Sequence, residues 1–149
     1  MVGTIVVKNS KLSPINCPKE LIPSLIDELP ILFVIMGLTK GVSKFYKIGE
    51  ATKKESNRIE EMKKILTQAS IKCKSTKDSM VIYGNDNINT KNKLISVKTK
   101  GDHRICMSSA MLSLATGIRT RIKNFETVNT SFPGFIKLIK SLGGKIETK

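Results

Sequence analysis

The chain has 149 residues, 40% hydrophobic and 26% charged, with 26 basic against 12 acidic side chains and a formal charge of +14. That length suits about one domain with a real core, and the composition is ordinary for a soluble globular protein. The longest apolar run, Leu29 to Leu38, is broken by Pro30 and Gly37 and is too short to span a bilayer.

Four of the 26 basic residues are arginines, Arg58, Arg104, Arg119 and Arg121, and the lysines are spread through every segment. Scattered lysines make solvated faces a better account of the charge than a nucleic-acid surface, because charge alone carries no sequence specificity. Cys17, Cys73 and Cys106 are odd in number and far apart, with no metal or disulfide spacing. Together with a start, Met-Val-Gly-Thr-Ile, that has neither the basic nor the apolar part of a signal peptide, they lead us to expect a cytoplasmic protein.

Taken in order, Gly3 to Lys8 reads as a short strand, followed by a Ser/Pro/Asn-rich loop to about Lys19. A buried helix is expected from about Glu28 to Thr39, with Pro30 in its first turn and Gly41 just past its end. Val42 to Ile48 alternates as a strand. A helix should then run from about Lys53 to Ala69, with Ile59, Met62, Ile65, Leu66 and Ala69 on one face. Ile71 to Lys74 and Met80 to Tyr83 are two further strands.

After the loop Gly84 to Lys93 the pattern recurs. Leu94 to Thr99 is a strand, Asp102 to Thr116 a helix ended by Gly117, and Arg119 to Phe125 a strand. Pro133 to Leu142 is a helix with Phe135, Ile136, Leu138 and Ile139 inward, and Lys145 to Thr148 opens a last strand. Gly41 pairs with Gly117 and Ile71 with Ile146, an offset of about 75 residues. The fold class is therefore α/β: two β-α-β-α-β-β units, about 3–84 and 94–149, with the second incomplete.

Two polar clusters stand at helix starts. Thr52-Lys-Lys-Glu-Ser-Asn-Arg58 packs cations and a carboxylate into seven residues. Thr52 and Glu55 have capping-box spacing, while Lys54 and Arg58 share a helical face beside an anion-attracting helix start. In Gly101-Asp-His-Arg104, Asp102 is a candidate N-cap, and Arg104 opens an otherwise apolar helix where burial would demand an anionic partner. Asp27-Glu28 before Leu29-Pro30 also reads as an N-cap. If the strands run parallel, all these helix starts meet at one sheet edge, where α/β proteins bind ligands.

In sequence, Leu25-Ile-Asp27-Glu-Leu-Pro30, Lys54-Glu-Ser-Asn-Arg58, Gly101-Asp-His-Arg104-Ile-Cys-Met107 and Thr130-Ser-Phe-Pro133-Gly-Phe135 occur in an order and spacing that resemble the C-terminal part of the 3-phosphoshikimate 1-carboxyvinyltransferases. Such a resemblance implies an inside-out α/β fold of two domains, each of three β-α-β-α-β-β units. It also implies transfer of the enolpyruvyl group of phosphoenolpyruvate to the 5-hydroxyl of shikimate 3-phosphate, releasing phosphate, with no metal or organic cofactor. By the same resemblance, Asp27 would bind shikimate 3-phosphate and accept its hydroxyl proton, and Lys54 would bind that substrate too. Glu55 would exchange a proton with the methylene of phosphoenolpyruvate. Arg58 and Arg104 would hold that substrate, with His103 a further candidate beside them.

Asn57 departs from the family's usual Asp, and Thr130 stands where some members carry Lys. The family's N-terminal domain, with its own phosphate-binding residues, has no counterpart in this sequence. The expectation is half an active site, inactive alone, with a separate N-terminal half as candidate partner. Inactive remnants or binding modules, and more remotely basic nucleic-acid-binding domains, share these features. Gly-Asp-His-Arg and Lys-Glu-Ser-Asn-Arg favour the shikimate branch over the related UDP-N-acetylglucosamine enolpyruvyl transferases.

Overall fold

A computed structural model describes residues 3–147. The run predicted as the first strand, Gly3–Lys8, forms none. Ile5, Val6 and Val7 are 90%, 73% and 89% exposed, and a strand without a neighbour leaves its N–H and C=O groups to water. Sheet pairing begins instead at Ile15–Cys17, alongside β1 (Gly41–Tyr46). Asn16 bridges Lys44 in parallel, Lys44 N donates to Ile15 O at 2.8 Å, and Cys17 N donates to Lys44 O at 2.9 Å.

Between them lie the short α1 (Ile22–Leu25) and α2 (Leu29–Gly37), with Pro30 in the first turn of α2 as expected. Apolar almost all round, α2 is buried on several sides, with Leu29, Phe33, Val34 and Met36 in the core. Gly41 opens β1 at φ +127°, where a Cβ would lie 2.7 Å from the Pro14 ring, so only glycine fits.

The helix expected from Lys53 starts five residues later, as α3 (Arg58–Gln68). Gly49–Lys53 forms a 3₁₀ turn instead, in which Thr52 Oγ1 donates to Gly49 O at 2.7 Å. The cap is Asn57, whose Oδ1 accepts from Glu60 N at 3.1 Å, so the Thr52–Glu55 capping box does not form. The apolar face does: Ile59, Met62, Ile65, Leu66 and Ala69 are all buried. β2 (Lys72–Thr76) and β3 (Ser79–Gly84) make a hairpin, and the sheet order is β1-β3-β2. Both neighbours are antiparallel to β3, so β1 and β2 run parallel to each other across it.

In the second half, β4 (Leu94–Lys98) pairs in parallel with β5 (Arg119–Lys123), Ser96 opposite Arg121. The crossover is α4 (His103–Thr116), closed by Gly117 in the left-handed conformation at φ +70°. β5 stops at Lys123, short of the expected Phe125, because Asn124 turns left-handed into the 3₁₀ segment Phe125–Thr130. In α5 (Phe135–Ser141), Phe135 and Ile139 are buried as expected, but Leu138 faces solvent. Lys145–Glu147 has no strand conformation, and Thr148 lies outside the described residues. The fold is α/β, with α2, α3 and α4 packed against one another between the two sheets' apolar faces. A smaller core under α5 joins Cys106, Ala110, Val128, Phe135 and Ile139.

Candidate functional site

The predicted residues meet, though not by way of an all-parallel sheet edge. The three-stranded sheet has an antiparallel centre, so what aligns the helix starts is the packing of α2, α3 and α4 on each other. Their N-termini close around one guanidinium.

Arg58, the first residue of α3, has a side chain only 1% exposed. Its Nε donates to Asp102 Oδ2 at 2.9 Å and its Nη1 to Asp27 Oδ1 at 2.7 Å. Nη2 donates to Glu55 Oε2 at 2.6 Å and, at 3.4 Å, to Asp102 Oδ1. A guanidinium has five N–H donors, and four are engaged here. Burial pulls the Arg58 pKa down, but the hydrogen bond and charge of Asp102, then Asp27 and Glu55, more than offset it and the net shift is upward.

Asp102, 0% exposed, is the N-cap of α4 as expected, accepting from Arg104 N at 3.0 Å and Ile105 N at 3.3 Å. It also accepts from Ser56 Oγ at 2.9 Å. Neither its tie to Arg58 nor the Ser56 bond follows from the sequence pattern. The available signal was the rule that a buried arginine must find a buried anion, applied to Arg104 and not to Arg58.

The other groups lie nearer the surface. Lys54 Nζ sits 3.1 Å from Asp27 Oδ1. Hydrogen bonds from Lys54 and then Arg58 hold the half-buried Asp27 carboxyl below the usual range, so it is ionised at neutral pH. Glu55 is exposed apart from its bond to Arg58. Arg104 is half-buried and pairs with exposed Glu28, which was expected only as part of a helix cap. His103 lies half-buried in the first turn of α4, with no side-chain hydrogen bond among the described residues. Thr130, far along the chain, only donates to Thr127 O at 2.8 Å.

Asp27, Lys54, Glu55, Arg58 and Arg104 thus form one layered cluster. Arg58 and Asp102 are the buried base, while Lys54 and Arg104 are the cations that an incoming anion can reach. Around the cluster four carboxylates (Asp27, Glu28, Glu55, Asp102) face three cations (Lys54, Arg58, Arg104), one negative charge in excess. Such an arrangement can exchange protons and orient an anion, but it cannot neutralise a polyanion by itself.

Elsewhere, the exposed face of the β4–β5 pair carries Lys98 opposite Lys123, and Arg121 opposite Ser96. With Lys64 and Lys100, both bonded to Glu61, these line a cavity of about 580 Å³ beside α3. All three cysteines are free, and burial pushes their pKa values up, Cys106 to about 12, so none is a ready thiolate. Among the described residues no helix is long and apolar enough to cross a membrane.

Comparison with known proteins identifies the family and the fold. The family model of EPSP synthase (3-phosphoshikimate 1-carboxyvinyltransferase) matches residues 2–139. The 3-phosphoshikimate 1-carboxyvinyltransferase of Paramagnetospirillum magneticum is 34% identical over 145 residues, 97% of this chain and 32% of the relative. That of Campylobacter jejuni subsp. doylei is 38% identical over 146 residues, 98% of this chain and 32% of the relative. The structure of EPSP synthase from Acinetobacter baumannii superposes with a TM-score of 0.77 at 31% identity, covering 93% of this chain and 31% of that one. The chain therefore spans about a third of the length of the relatives it matches. With the family model matching residues 2–139, most of its length, the chain belongs to the EPSP synthase (3-phosphoshikimate 1-carboxyvinyltransferase) family.

Proposed function

We propose that this chain supplies the phosphoenolpyruvate side of a carboxyvinyl-transfer site, the C-terminal part of an enzyme that joins phosphoenolpyruvate to the 5-hydroxyl of shikimate 3-phosphate and releases phosphate, on the way to chorismate and the aromatic amino acids. The observation that carries the reading is the single buried guanidinium of Arg58, which bonds Asp27, Glu55 and Asp102 at once. It sets a candidate base and a candidate acid on opposite arms of one rigid fork, with Lys54 and Arg104 at the open side.

In this reading Asp27, kept ionised by Lys54 and Arg58, accepts the proton of the attacking hydroxyl. Glu55 gives a proton to the methylene carbon as the new C–O bond forms, then takes one back as the C–O bond to phosphate breaks. The steps balance because Glu55 recovers the proton it gave, the product keeps its vinyl group, and the hydroxyl proton taken by Asp27 leaves with the released phosphate. Lys54 binds shikimate 3-phosphate and Arg104 binds phosphoenolpyruvate, with His103 bordering them; the direct contact to phosphoenolpyruvate expected of Arg58 is replaced by an indirect one, because its side chain is only 1% exposed. Arg104 meets that substrate directly, by exchanging Glu28 for it. Arg58 acts mainly from beneath, through the carboxylates it already holds.

The negative excess of the cluster supports a half-site. Two phosphorylated, multiply charged substrates need further cations, and these would come from the remaining two-thirds of the family's length. Closure of that part over the substrates completes the site, so this chain alone is inactive. In the cell, the enzyme would work in the cytoplasm. The test is phosphate release from both substrates. This chain alone should release none above background, and adding the complementary part should restore turnover that Glu55→Gln abolishes. Turnover by this chain alone would contradict the half-site, and full turnover with Glu55→Gln would contradict the role of Glu55.

A second reading rests on the opposed Lys98 and Lys123 with Arg121, since like charges across a strand pair repel unless an anion lies over them. It makes the β4–β5 face a nucleic-acid surface. Duplex binding that weakens steeply with salt and is unaffected by Arg104→Ala would favour it.

A further inference from the structure

The cavity of about 580 Å³ between α3 and the β4–β5 pair shares no residue with the cluster around Arg58. Its size falls within the ~300–1,000 Å³ of sites for small ligands. Five cations line it, Lys64, Lys98, Lys100, Arg121 and Lys123, against the one carboxylate of Glu61, so four positive charges are in excess. The Arg58 cluster has the opposite sign. A cleft lined by charges of one sign concentrates their potential within it.

Glu61 does not discharge the cavity. It is buried, and its charge is spent on Lys64 at 3.1 Å and Lys100 at 3.0 Å. Among the described residues no carboxylate pairs with Lys98, Arg121 or Lys123. Lys98 stands directly opposite Lys123, and Arg121 lies on the same face about 7 Å back along β5, two residues of strand rise. Like charges so placed weaken a strand pair, and a multiply charged anion over all three would relieve the repulsion.

One wall of the cavity is tied to its floor. The Gln68 carboxamide accepts from Ser96 N at 2.8 Å and donates to Ser96 O at 3.2 Å, which joins the end of α3 to β4 and occupies that strand's free edge. With α3 standing beside the cations, the space suits a compact anion better than a broad duplex. The apolar lining is Ile65 and Val97, and no aromatic ring among the lining residues offers a base a surface to stack on.

We infer that this cavity binds a compact polyphosphate, a chain of linked phosphates held by Lys98, Arg121 and Lys123 with Lys64 and Lys100 beside it. A free inorganic chain and the triphosphate of a nucleotide share that chemistry. The site is separate from the proposed carboxyvinyl-transfer site, so its failure leaves that reading untouched.

The experiment titrates the full chain with sodium triphosphate and, separately, with adenosine triphosphate, at constant ionic strength and without magnesium. Calorimetry should give saturable one-to-one binding, and amide shifts should centre on residues 96–100 and 119–123. Arg121→Ala and Lys123→Ala each remove a charged hydrogen-bond donor and should weaken binding about tenfold. Both side chains are exposed, so the variants should keep the wild-type circular dichroism. Lys44→Ala, which removes an exposed lysine from the other sheet, should change the affinity less than about twofold, because salt screens a distant charge. Phosphoenolpyruvate, with a single phosphate, should not displace the triphosphate. Equal affinity for the two ligands assigns the site to the phosphate chain alone, and tighter binding of the nucleotide assigns it to a nucleotide; either upholds the inference. Absence of saturable binding at millimolar triphosphate overturns it, as does an equal loss in Lys44→Ala and Arg121→Ala, which would reduce the response to net charge. Duplex DNA that outcompetes triphosphate at equal phosphate concentration also overturns it and gives the face to nucleic acid.

Discussion

Arg58 Nε and Asp102 Oδ2 lie 2.9 Å apart with both side chains out of solvent, so the first residue of α3 and the N-cap of α4 neutralise each other inside the protein. The pair joins two helix starts that are 44 residues apart. Removing one member of such a pair strands a buried charge, which costs about 3–5 kcal/mol. Asp102→Ala also loses the cap, and should lie at the upper end of that range in chemical denaturation. Glu28→Gln, which breaks the more exposed pair with Arg104, should cost less than about 1 kcal/mol. Comparable losses from the two substitutions would contradict the assignment of Arg58–Asp102 as the buried base of the site.

The helix cap gives a sharper contrast. Asn57→Ala should lower stability by about 1 kcal/mol, because Glu60 N loses its acceptor. Thr52→Ala should not reproduce that loss through the helix, since Thr52 bonds only within the 3₁₀ turn. Paired urea titrations decide the matter: a larger loss for Thr52→Ala would restore the capping box that the sequence suggested. Asn57→Asp, the residue usual in the family, should stabilise α3 by a few tenths of a kcal/mol through the helix dipole.

The response to acid follows from two carboxylates. Asp27 is held low by hydrogen bonds from Lys54 and Arg58. Burial pushes Glu61 up, but hydrogen bonds from Lys100 and then Lys64 outweigh it, and its net shift is downward. A carboxylate with a depressed folded-state pKa contributes stability that is fully present above its unfolded value, near ~4. That contribution is lost as pH falls through the lower, folded value. Melting temperature should therefore be flat between pH 7 and 5 as far as these groups decide it, and fall below pH ~4. Glu61→Gln and Asp27→Asn should each make the acid fall shallower. Steeper falls in both variants would mean that the ion pairs are not favourable in solution.

Much of this was legible in the sequence where local chemistry decides. The apolar face Ile59, Met62, Ile65, Leu66 and the Gly117 stop of α4 follow from helical period and from glycine's tolerance of positive φ. The site residues were legible in three of the four ordered motifs, each too short to be conclusive. What the sequence withheld depends on neighbours. Gly3–Lys8 has strand composition, but no strand forms without a partner, and the partner is not encoded locally. The start of α3 moved because Gly49–Lys53 tightens into a 3₁₀ turn and Asn57 caps better than Thr52 can. Asp102 looked like a simple N-cap because a cap is local, whereas its second bond, to Arg58, spans two packed helices. The antiparallel centre of the first sheet was hidden for the same reason, since strand direction is set by pairing and not by composition.

In the proposed site Glu55 and Arg104 border phosphoenolpyruvate above the buried Arg58, with Lys54 on the shikimate 3-phosphate side. The most direct measurement is a titration of the ¹⁵N-labelled chain with phosphoenolpyruvate, followed by amide chemical shifts at constant ionic strength. Saturable shifts are expected, centred on residues 54–58 and 102–105 and lost in Arg104→Ala, with the β4–β5 face unmoved. Shifts centred on Lys98, Arg121 and Lys123, or a response unchanged in Arg104→Ala, would contradict that site.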